Sequence, residues 1–451
     1  MRVARAIVGP GAPANWWVAP GRLSGTLSGS PSKSYTHRAL LAGLLSQGRM
    51  TIRNPLASED TVASLGVTRA LGATVVERPG GSRLSWDLDA GQALRPVPRA
   101  RRLWAGESGT TLRLFTPASA LPGSPARWEG EDSLARRPMG PLLQALTELG
   151  AEVRPPPPGR GLPFRVRGPL SAGTVTLPGS LSSQFLSALL FALAGLPSAS
   201  RVRVVGPQVS QPYVEASLRV LRAFGVNVRP GPAGYRVPAD SPLRPVPVEV
   251  PADASSAAYL FAGAALTGGT VRVGPFPTGW PQADLALLPV LRRCGAQVVR
   301  RGQDWEVTGG PLPLRPFQAD LDASPDLAPL LAVLASFGRG RSRLTGGAQL
   351  VHKESDRRRG TEALVRALRA RIRRGPAGWE IAGPPLARRL RLLDLSDHRL
   401  LFSAAVAALA LPGPSVLGPG SAAAKSYPRF FPDLGVLGIS LHGAGPGGVA
   451  R

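Results

Sequence analysis

"TVTLPGSLSSQFLSALLFALAGLPSASRVRVVGPQVSQPYVEASLRVLRAFGVNV", residues 174–228, sets out one structural unit. TVTLPG alternates β-branched residues and stops at Pro-Gly, as a short strand does. SLSSQFLSALLFALAGL opens on hydroxyls and continues as an Ala/Leu-rich helix. RVRVV is a second strand, and YVEASLRVLRAFG is an amphipathic helix that stops at Gly225. That ending recurs as TRALGATV (68–75), LTELGAEV (146–153), LRRCGAQV (291–298) and GVLGISL (435–441), with Gly at 72, 150, 295 and 438. A degenerate copy, VRALRARI (365–372), fills the remaining gap. A period this long does not suit a solenoid repeat. It predicts an α/β protein of about six units, grouped three and three, with the Pro-rich VPADSPLRPVPVEVP (237–251) between copies three and four.

The chain has 451 residues, 43% of them hydrophobic, which is enough for two domains with good cores. Its 54 Gly and 48 Pro read as turn punctuation. MRVARAIVGPGAPANWW at the start lacks the apolar run of a secretory signal. FLSALLFALAGL (185–196) is too short to span a bilayer as a helix. A soluble cytoplasmic protein with no membrane partner is expected. Cys294, the single Cys, excludes an intramolecular disulfide framework and a Cys-rich metal site; VLRRCGAQVV reads as a buried helix end.

A net charge of +26 and a pI near 11.7 are compatible with nucleic acid, an anionic membrane surface or small anionic substrates. A nucleic-acid binder would be expected to interleave aromatic and basic residues and to lose its polymer steeply with salt; the interleaving is missing. Only three of the 54 basic residues are Lys: Lys33, Lys353 and Lys425. Where Arg has replaced Lys almost everywhere, the survivors mark positions that need a compact, rotatable ammonium rather than a planar fork.

The first helices of the units begin at PSKSYTHR, GESGTTLR, SLSSQF, DASSAA, SPDLAP and LSDHRL. Ser, Thr and Asp cap helices, and a helix start presents free N–H groups to an anion. Capping suffices for DASSAA. Where Lys33, Arg38, Arg113 or Arg399 follows within the first turns, anion binding is the better reading.

The ordered set SPSKSYTHR, GESGTTLR, RRPM, LSSQF, VSQPY, DASSAA, SPDLAP, HKESDR, LSDHR and AAAKSYPRFF resembles the 3-phosphoshikimate 1-carboxyvinyltransferase (EPSP synthase) family of enolpyruvyl transferases over nearly the whole chain. The resemblance implies two domains, each of three βαβαββ units in an inside-out α/β barrel, with the active site in the interdomain cleft. The expected domains are 22–247, and 1–21 with 248–451. It also implies transfer of the enolpyruvyl group of phosphoenolpyruvate to the 5-hydroxyl of shikimate 3-phosphate, by a monomer, with no metal, organic cofactor or nucleic acid.

By motif, the resemblance implies catalytic roles for Lys33, Asp326 and Glu354. It assigns shikimate 3-phosphate to Lys33, Ser34, Arg38, Ser182, Ser183, Gln184, Ser210, Tyr213, Asp326, Gln349 and Lys353. Phosphoenolpyruvate falls to Lys33, Gly109, Arg137, Gln184, Arg357, Arg399 and Lys425, with Arg113 close to Gly109. Asp326 is the base near the 5-hydroxyl, and Glu354 handles protons at the methylene carbon. Taken singly, many of these read otherwise: Asp326 as an N-cap, Ser182 as a cap, HKESDR as a mixed-charge helix face. Arg136 is expected to be an exposed charge, His398 structural, and Tyr427, Phe430 and Phe431 core. Three positions depart from the family pattern: Glu107 and Gln349 stand where Asn is common, and Val351 where Arg is common. The related transferase acting on UDP-N-acetylglucosamine usually carries a reactive Cys and a Lys-Asn pair, whereas here Ser34 follows Lys33. A non-catalytic relative would not be expected to keep all three Lys and both carboxylates.

Overall fold

At the end of the second helix of each unit the backbone passes through the left-handed region, at Gly72 (φ 101°), Gly150 (92°), Gly225 (88°), Gly295 (107°) and Gly438 (95°). Glycine enters that region without a Cβ penalty, which is why helices so often stop on it. The degenerate copy makes the same turn with Arg369, at φ 58°. The computed structural model describes residues 13–80 and 83–444.

Six four-stranded sheets follow one pattern among the described residues. In the third unit Thr174–Pro178 runs parallel to Ser200–Val205, which is antiparallel to Gly234–Val237, itself antiparallel to Arg229–Gly231. The helix Ser183–Ala192 connects the first two strands, and Gln211–Ala223 leads to the final hairpin. This is the βαβα order read from residues 174–228, completed by the hairpin of the βαβαββ unit that the family resemblance implies. The same order holds for the sheet of Arg101–Trp104, Pro125–Glu129, Phe164–Arg167 and Glu152–Arg154. It holds again for Gln318–Asp320, Arg341–Thr345, Gly378–Ala382 and Arg371–Gly375.

The other sheets borrow a strand. Gly25–Ser28, just ahead of the helix Lys33–Leu45, pairs in parallel with Thr270–Gly274. Val248–Glu249, just ahead of Ala254–Thr267, pairs with Arg49–Arg53. In the sixth unit Asn15–Val18 lies antiparallel to both Ser415–Leu417 and Leu441–Ala444, filling a place that a hairpin strand has elsewhere. The two compact units are therefore Pro31–Val250 with Gly279–Pro281, and the residues up to Ser30 with Pro251–Thr278 and Gln282 onward. Residues 22–30 fall with the second unit because of that borrowed strand, a shift from the expected boundary at 21/22. Residues 248–250 stay with the first, because Val248 pairs with Ile52 and the Val250 amide donates to the Arg53 carbonyl.

Each unit has its own hydrophobic core. The first helices pack on one another at its centre and are buried on all sides. Every residue of Ala328–Ser336 and of His398–Leu409 is buried, as helices without a solvent face must be. The second helices are one-sided: Gln211–Ala223 buries Val214, Ala216, Ser217, Val220 and Leu221. Cys294 ends the helix Leu287–Cys294 in the core, and Tyr427, Phe430 and Phe431 are buried there too. Among the described residues no helix is long and apolar enough to cross a membrane.

Candidate functional site

In the unit built on residues 31–250, the helix Lys33–Leu45 starts without an acidic residue in its first turn, and so do Gly109–Ala120 and Ser183–Ala192. Their positive dipole ends are left to be complemented by something outside the helix. Lys33 Nζ donates to Asp60 Oδ2 at 2.9 Å, with both side chains largely buried. A buried polar network lies beneath: the Thr111 hydroxyl donates to the Asp60 carbonyl (3.1 Å) and to Ser108 Oγ (2.8 Å), Ser64 Oγ shares a hydrogen bond with Thr111, and His37 Nδ1 is 2.7 Å from Ser64 Oγ. Burial, with Lys33 and Arg38 nearby, keeps His37 well below its ordinary pKa, so it adds no charge. Asp60 carried no sequence signal beyond being an acid in a first helical turn.

One turn beyond Lys33, Arg38 is buried and donates to three neutral oxygens: Ser217 Oγ (2.9 Å), the Ser34 carbonyl (2.9 Å) and the Tyr213 carbonyl (2.8 Å). Burial lowers its pKa to about 10. A buried guanidinium whose hydrogen bonds reach only neutral acceptors favours an anion beside it. These bonds bring Ser34 and Tyr213 together, and the Tyr213 amide donates to the Ser210 carbonyl at 3.1 Å, with Ser210 in the left-handed region.

Gln184 links the other two helix starts. Its Oε1 accepts from Arg113 Nη1 and its Nε2 donates to Thr110 Oγ1, both at 2.9 Å. Ser182 caps the helix by accepting from the Gln184 amide, and Ser183 is buried beside it. Arg113 stacks on Phe185, 5.3 Å from the ring centre. A Cβ at Gly109 would lie 2.7 Å from Arg137 Nη1; glycine is what lets Arg137 lie against the helix start. Arg137 is buried, whereas Arg136 is exposed. Glu107 is exposed and accepts from Ser133 Oγ at 2.7 Å, a neutral partner for the unexpected acid.

The second unit holds a cluster of alternating charges. Arg357, 1% exposed, donates through Nε to Asp397 Oδ2 (2.8 Å), through Nη1 to Asp326 Oδ1 (2.7 Å) and through Nη2 to Glu354 Oε2. Asp326 also receives Arg399 Nη2 at 3.1 Å and Lys353 Nζ at 3.5 Å. Asp397 caps the helix His398–Leu409 by accepting from the Arg399 amide (2.9 Å), and it accepts from Ser355 Oγ (2.9 Å). It thus fixes Arg357 and Arg399 together. Burial opposes ionisation of Asp326, yet Lys353, Arg399 and Arg357 hold its carboxyl well below the usual range. Burial also opposes the charge of Arg357, and Asp397, Glu354 and Asp326 outweigh it, raising its pKa. Asp326 sits in a 3-10 turn, Pro325–Leu327, ahead of Ala328–Ser336, rather than at the helix N-cap. An ionised carboxylate ringed by cations can take a proton once a competing anion relieves it of some of them.

The sequence motifs therefore meet in space: Asp326, Lys353, Glu354, Arg357 and Arg399 form one cluster. The Gln349 Nε2 donates to the Leu321 carbonyl at 3.3 Å. Lys425 is buried at the end of the turn Gly420–Lys425. His398 is fully buried at its helix start. Asp397 was visible in sequence only as part of LSDHR; its hold on Arg357 depends on a residue 40 positions away. No group of three His, Cys, Asp or Glu suited to a metal ion occurs among the described residues.

A family model described as EPSP synthase (3-phosphoshikimate 1-carboxyvinyltransferase) matches residues 18–434. The chain is 37% identical over 425 residues to the 3-phosphoshikimate 1-carboxyvinyltransferase of Methanocorpusculum labreanum, covering 94% of this chain and 98% of that one. It is 37% identical over 421 residues to the protein of that name from Thermococcus kodakarensis, covering 91% and 96%. Among solved structures it resembles EPSP synthase from Acinetobacter baumannii, with a TM-score of 0.73 at 23% identity, covering 95% of this chain and 99% of that one. It resembles the enolpyruvyl transferase NikO from Streptomyces tendae with a TM-score of 0.72 at 20% identity, and the same coverage.

Proposed function

The chain belongs to the EPSP synthase family, and from that premise we infer that it transfers the enolpyruvyl group of phosphoenolpyruvate to the 5-hydroxyl of shikimate 3-phosphate, releasing phosphate, in the shikimate pathway. The hydroxyl oxygen attacks C2 of phosphoenolpyruvate while C3 gains a proton, giving a tetrahedral intermediate. Loss of a proton from C3 and departure of phosphate restore the vinyl group. The observation that carries the reading into this chain's residues is the meeting of Lys353, Arg357 and Arg399 on the Asp326 carboxylate. Asp326 takes the hydroxyl proton, Glu354 handles protons at C3, and Lys33 is a cation for phosphoenolpyruvate at its helix start. Each can act only when a substrate anion draws off part of the surrounding positive charge, which ties chemistry to binding.

Shikimate 3-phosphate is assigned to Lys33, Ser34, Arg38, Ser182, Ser183, Gln184, Ser210, Tyr213, Asp326, Gln349 and Lys353. Buried Arg38, with its neutral acceptors, is a natural seat for one of that substrate's anionic groups. Phosphoenolpyruvate is assigned to Lys33, Gly109, Arg137, Gln184, Arg357, Arg399 and Lys425. The enzyme works as a cytoplasmic monomer. The alternative acceptor, UDP-N-acetylglucosamine, gains nothing from Cys294: it is buried, and burial pushes its thiol up to about 12, the opposite of a reactive nucleophile.

The test is phosphate release by purified protein supplied with phosphoenolpyruvate and shikimate 3-phosphate, omitting each in turn. Release that requires both is expected. Release with UDP-N-acetylglucosamine in place of shikimate 3-phosphate would overturn the reading.

A further inference from the structure

Three helix starts of the unit built on residues 31–250 are tied together by side chains to which no substrate role is assigned. His37 lies one turn into Lys33–Leu45, Ser64 lies one turn beyond Asp60 in Glu59–Ala70, and Ser108 and Thr111 open Gly109–Ala120. These four are each 1% exposed or less. His37 Nδ1 is 2.7 Å from Ser64 Oγ, which is 2.8 Å from Thr111 Oγ1. Thr111 Oγ1 in turn lies 3.1 Å from the Asp60 carbonyl and 2.8 Å from Ser108 Oγ. His37 Nε2 is buried with no hydrogen-bond partner among the described residues.

A hydroxyl has one proton, and that fixes the direction of each contact. The Asp60 carbonyl can only accept, so the Thr111 proton goes there, and the Thr111 oxygen accepts from the Ser64 and Ser108 hydroxyls. Ser64, its proton spent, accepts from His37, whose ring proton is therefore on Nδ1. All four contacts are then satisfied, and what is left over is one lone pair on Nε2. The reverse direction turns Ser64 toward His37 and Thr111 toward Ser64. It takes the Thr111 proton from the Asp60 carbonyl and puts a buried N–H on Nε2 with no acceptor. Burial, with Lys33 and Arg38 nearby, keeps the ring neutral, as the first direction requires.

We propose that His37, Ser64 and Thr111 form a one-way chain of donors ending on the main chain of Asp60, which makes them positioning residues for the Lys33 ammonium. The Asp60 carboxylate holds Lys33 Nζ at 2.9 Å, and a long, rotatable side chain stays in place only as firmly as its anchor does. Oriented hydroxyls polarise one another, so losing one loosens the next. Because the chain also reaches Ser108, it sets the Lys33 helix start against the Gly109 start, on which Arg137 lies. Lys33, Gly109 and Arg137 are all assigned to phosphoenolpyruvate. The positioning role rests on the reaction proposed above; the direction of the chain does not.

The experiment has two arms. Nitrogen NMR of protein labelled at histidine, with the His37 signals identified by their loss in His37→Asn, should show a neutral ring protonated at Nδ1. A proton on Nε2, or a doubly protonated ring at neutral pH, overturns the chain. In the kinetic arm, Thr111→Val keeps the shape of the side chain and removes the hydroxyl. Its KM for phosphoenolpyruvate is expected to rise about tenfold, with the KM for shikimate 3-phosphate, which Lys33 shares with many other residues, little changed. Loss of stability alone would not split the two substrates in this way. Thr111→Ser should restore the wild-type values. An unchanged KM in Thr111→Val, a loss shared equally by both substrates, or a Thr111→Ser variant that behaves like Thr111→Val overturns the positioning role. Wild-type protein that releases no phosphate with both substrates overturns the reaction and the positioning role together, while the spectrum still decides the direction of the chain.

Discussion

Lys33 and Gly109 show how much a single side chain, or its absence, is asked to do. Lys33 reaches Asp60 as a point charge, and a guanidinium there would need room for a planar fork beside a buried carboxylate. Lys33→Arg is expected to lower kcat/KM by about 100-fold, on the scale of a lost charge-assisted contact; full activity in steady-state assays would remove the argument from the three surviving Lys. Gly109→Ala places a methyl group 2.7 Å from Arg137 Nη1. The atom it meets ends a flexible side chain, so the cost falls on the position of Arg137 and not on folding. The expected result is a KM for phosphoenolpyruvate raised about tenfold, with the melting temperature and the KM for shikimate 3-phosphate little changed. Asp284, buried and accepting from Ser255 Oγ, bears on stability. Its carboxyl lies at about 6 in the folded chain against an ordinary 3.8, so the native state holds that proton more firmly. The resulting stability is complete below the unfolded value and declines as pH rises through about 6, by up to about 3 kcal/mol. Urea titrations of Asp284→Asn should show the variant gaining on wild type between pH 4 and 7; a pH-independent difference would contradict this.

At the scale of the element, one turn is made six times with different residues. Five copies place Gly in the left-handed region, and the sixth places Arg369 there. A left-handed L-residue costs about 1–2 kcal/mol relative to its preferred conformation. Arg369→Gly is thus expected to raise the unfolding free energy of its unit by about 1 kcal/mol, less what glycine adds to the entropy of the unfolded chain. Chemical denaturation would check this, and a destabilised variant would show that the Arg369 side chain contributes more than its backbone costs. The same comparison explains why the sixth copy was hard to read. Its helix and hairpin are intact, Arg357–Ala367 followed by Arg371–Gly375 and Gly378–Ala382, but the usual stop signal is missing.

For the whole molecule, two hydrophobic cores predict two folding events. One contains Trp86 and Trp128, the other Trp379 with Trp305 packed against it. Unfolding in urea followed by tryptophan fluorescence should resolve two transitions, separable with Trp→Phe variants. Most residues assigned to shikimate 3-phosphate lie in the unit of residues 31–250. Ligand at 100 times its Kd should stabilise that unit by about 2.7 kcal/mol. A single concerted transition, or ligand protection confined to the other unit, would count against this division of labour. The charge of +26 belongs to this scale too, since small anionic substrates account for the buried cations at the helix starts without a polynucleotide.

Periodicity along the chain was enough to read the repeat, because strand alternation, helix stripes and a terminal glycine are local and each unit repeats them. Lys33, Arg38, Arg113 and Arg399 were legible for the same reason, since a Lys or Arg in the first turns of a helix is a short-range pattern, and the roles of the other motif residues came only from the resemblance to the family. Tertiary structure alone decided which strand completes which sheet. Gly25–Ser28 and Val248–Glu249 each pair with the sheet of the other group, and no local pattern encodes a partner more than 190 residues away. It also decided the charge partners. Asp60 beneath Lys33, Asp397 behind Arg357 and Asp284 on Ser255 are ordinary acids in the sequence. Each acquires its role from a cation or hydroxyl brought close by folding, because the energy of a buried charge depends on what surrounds it in space.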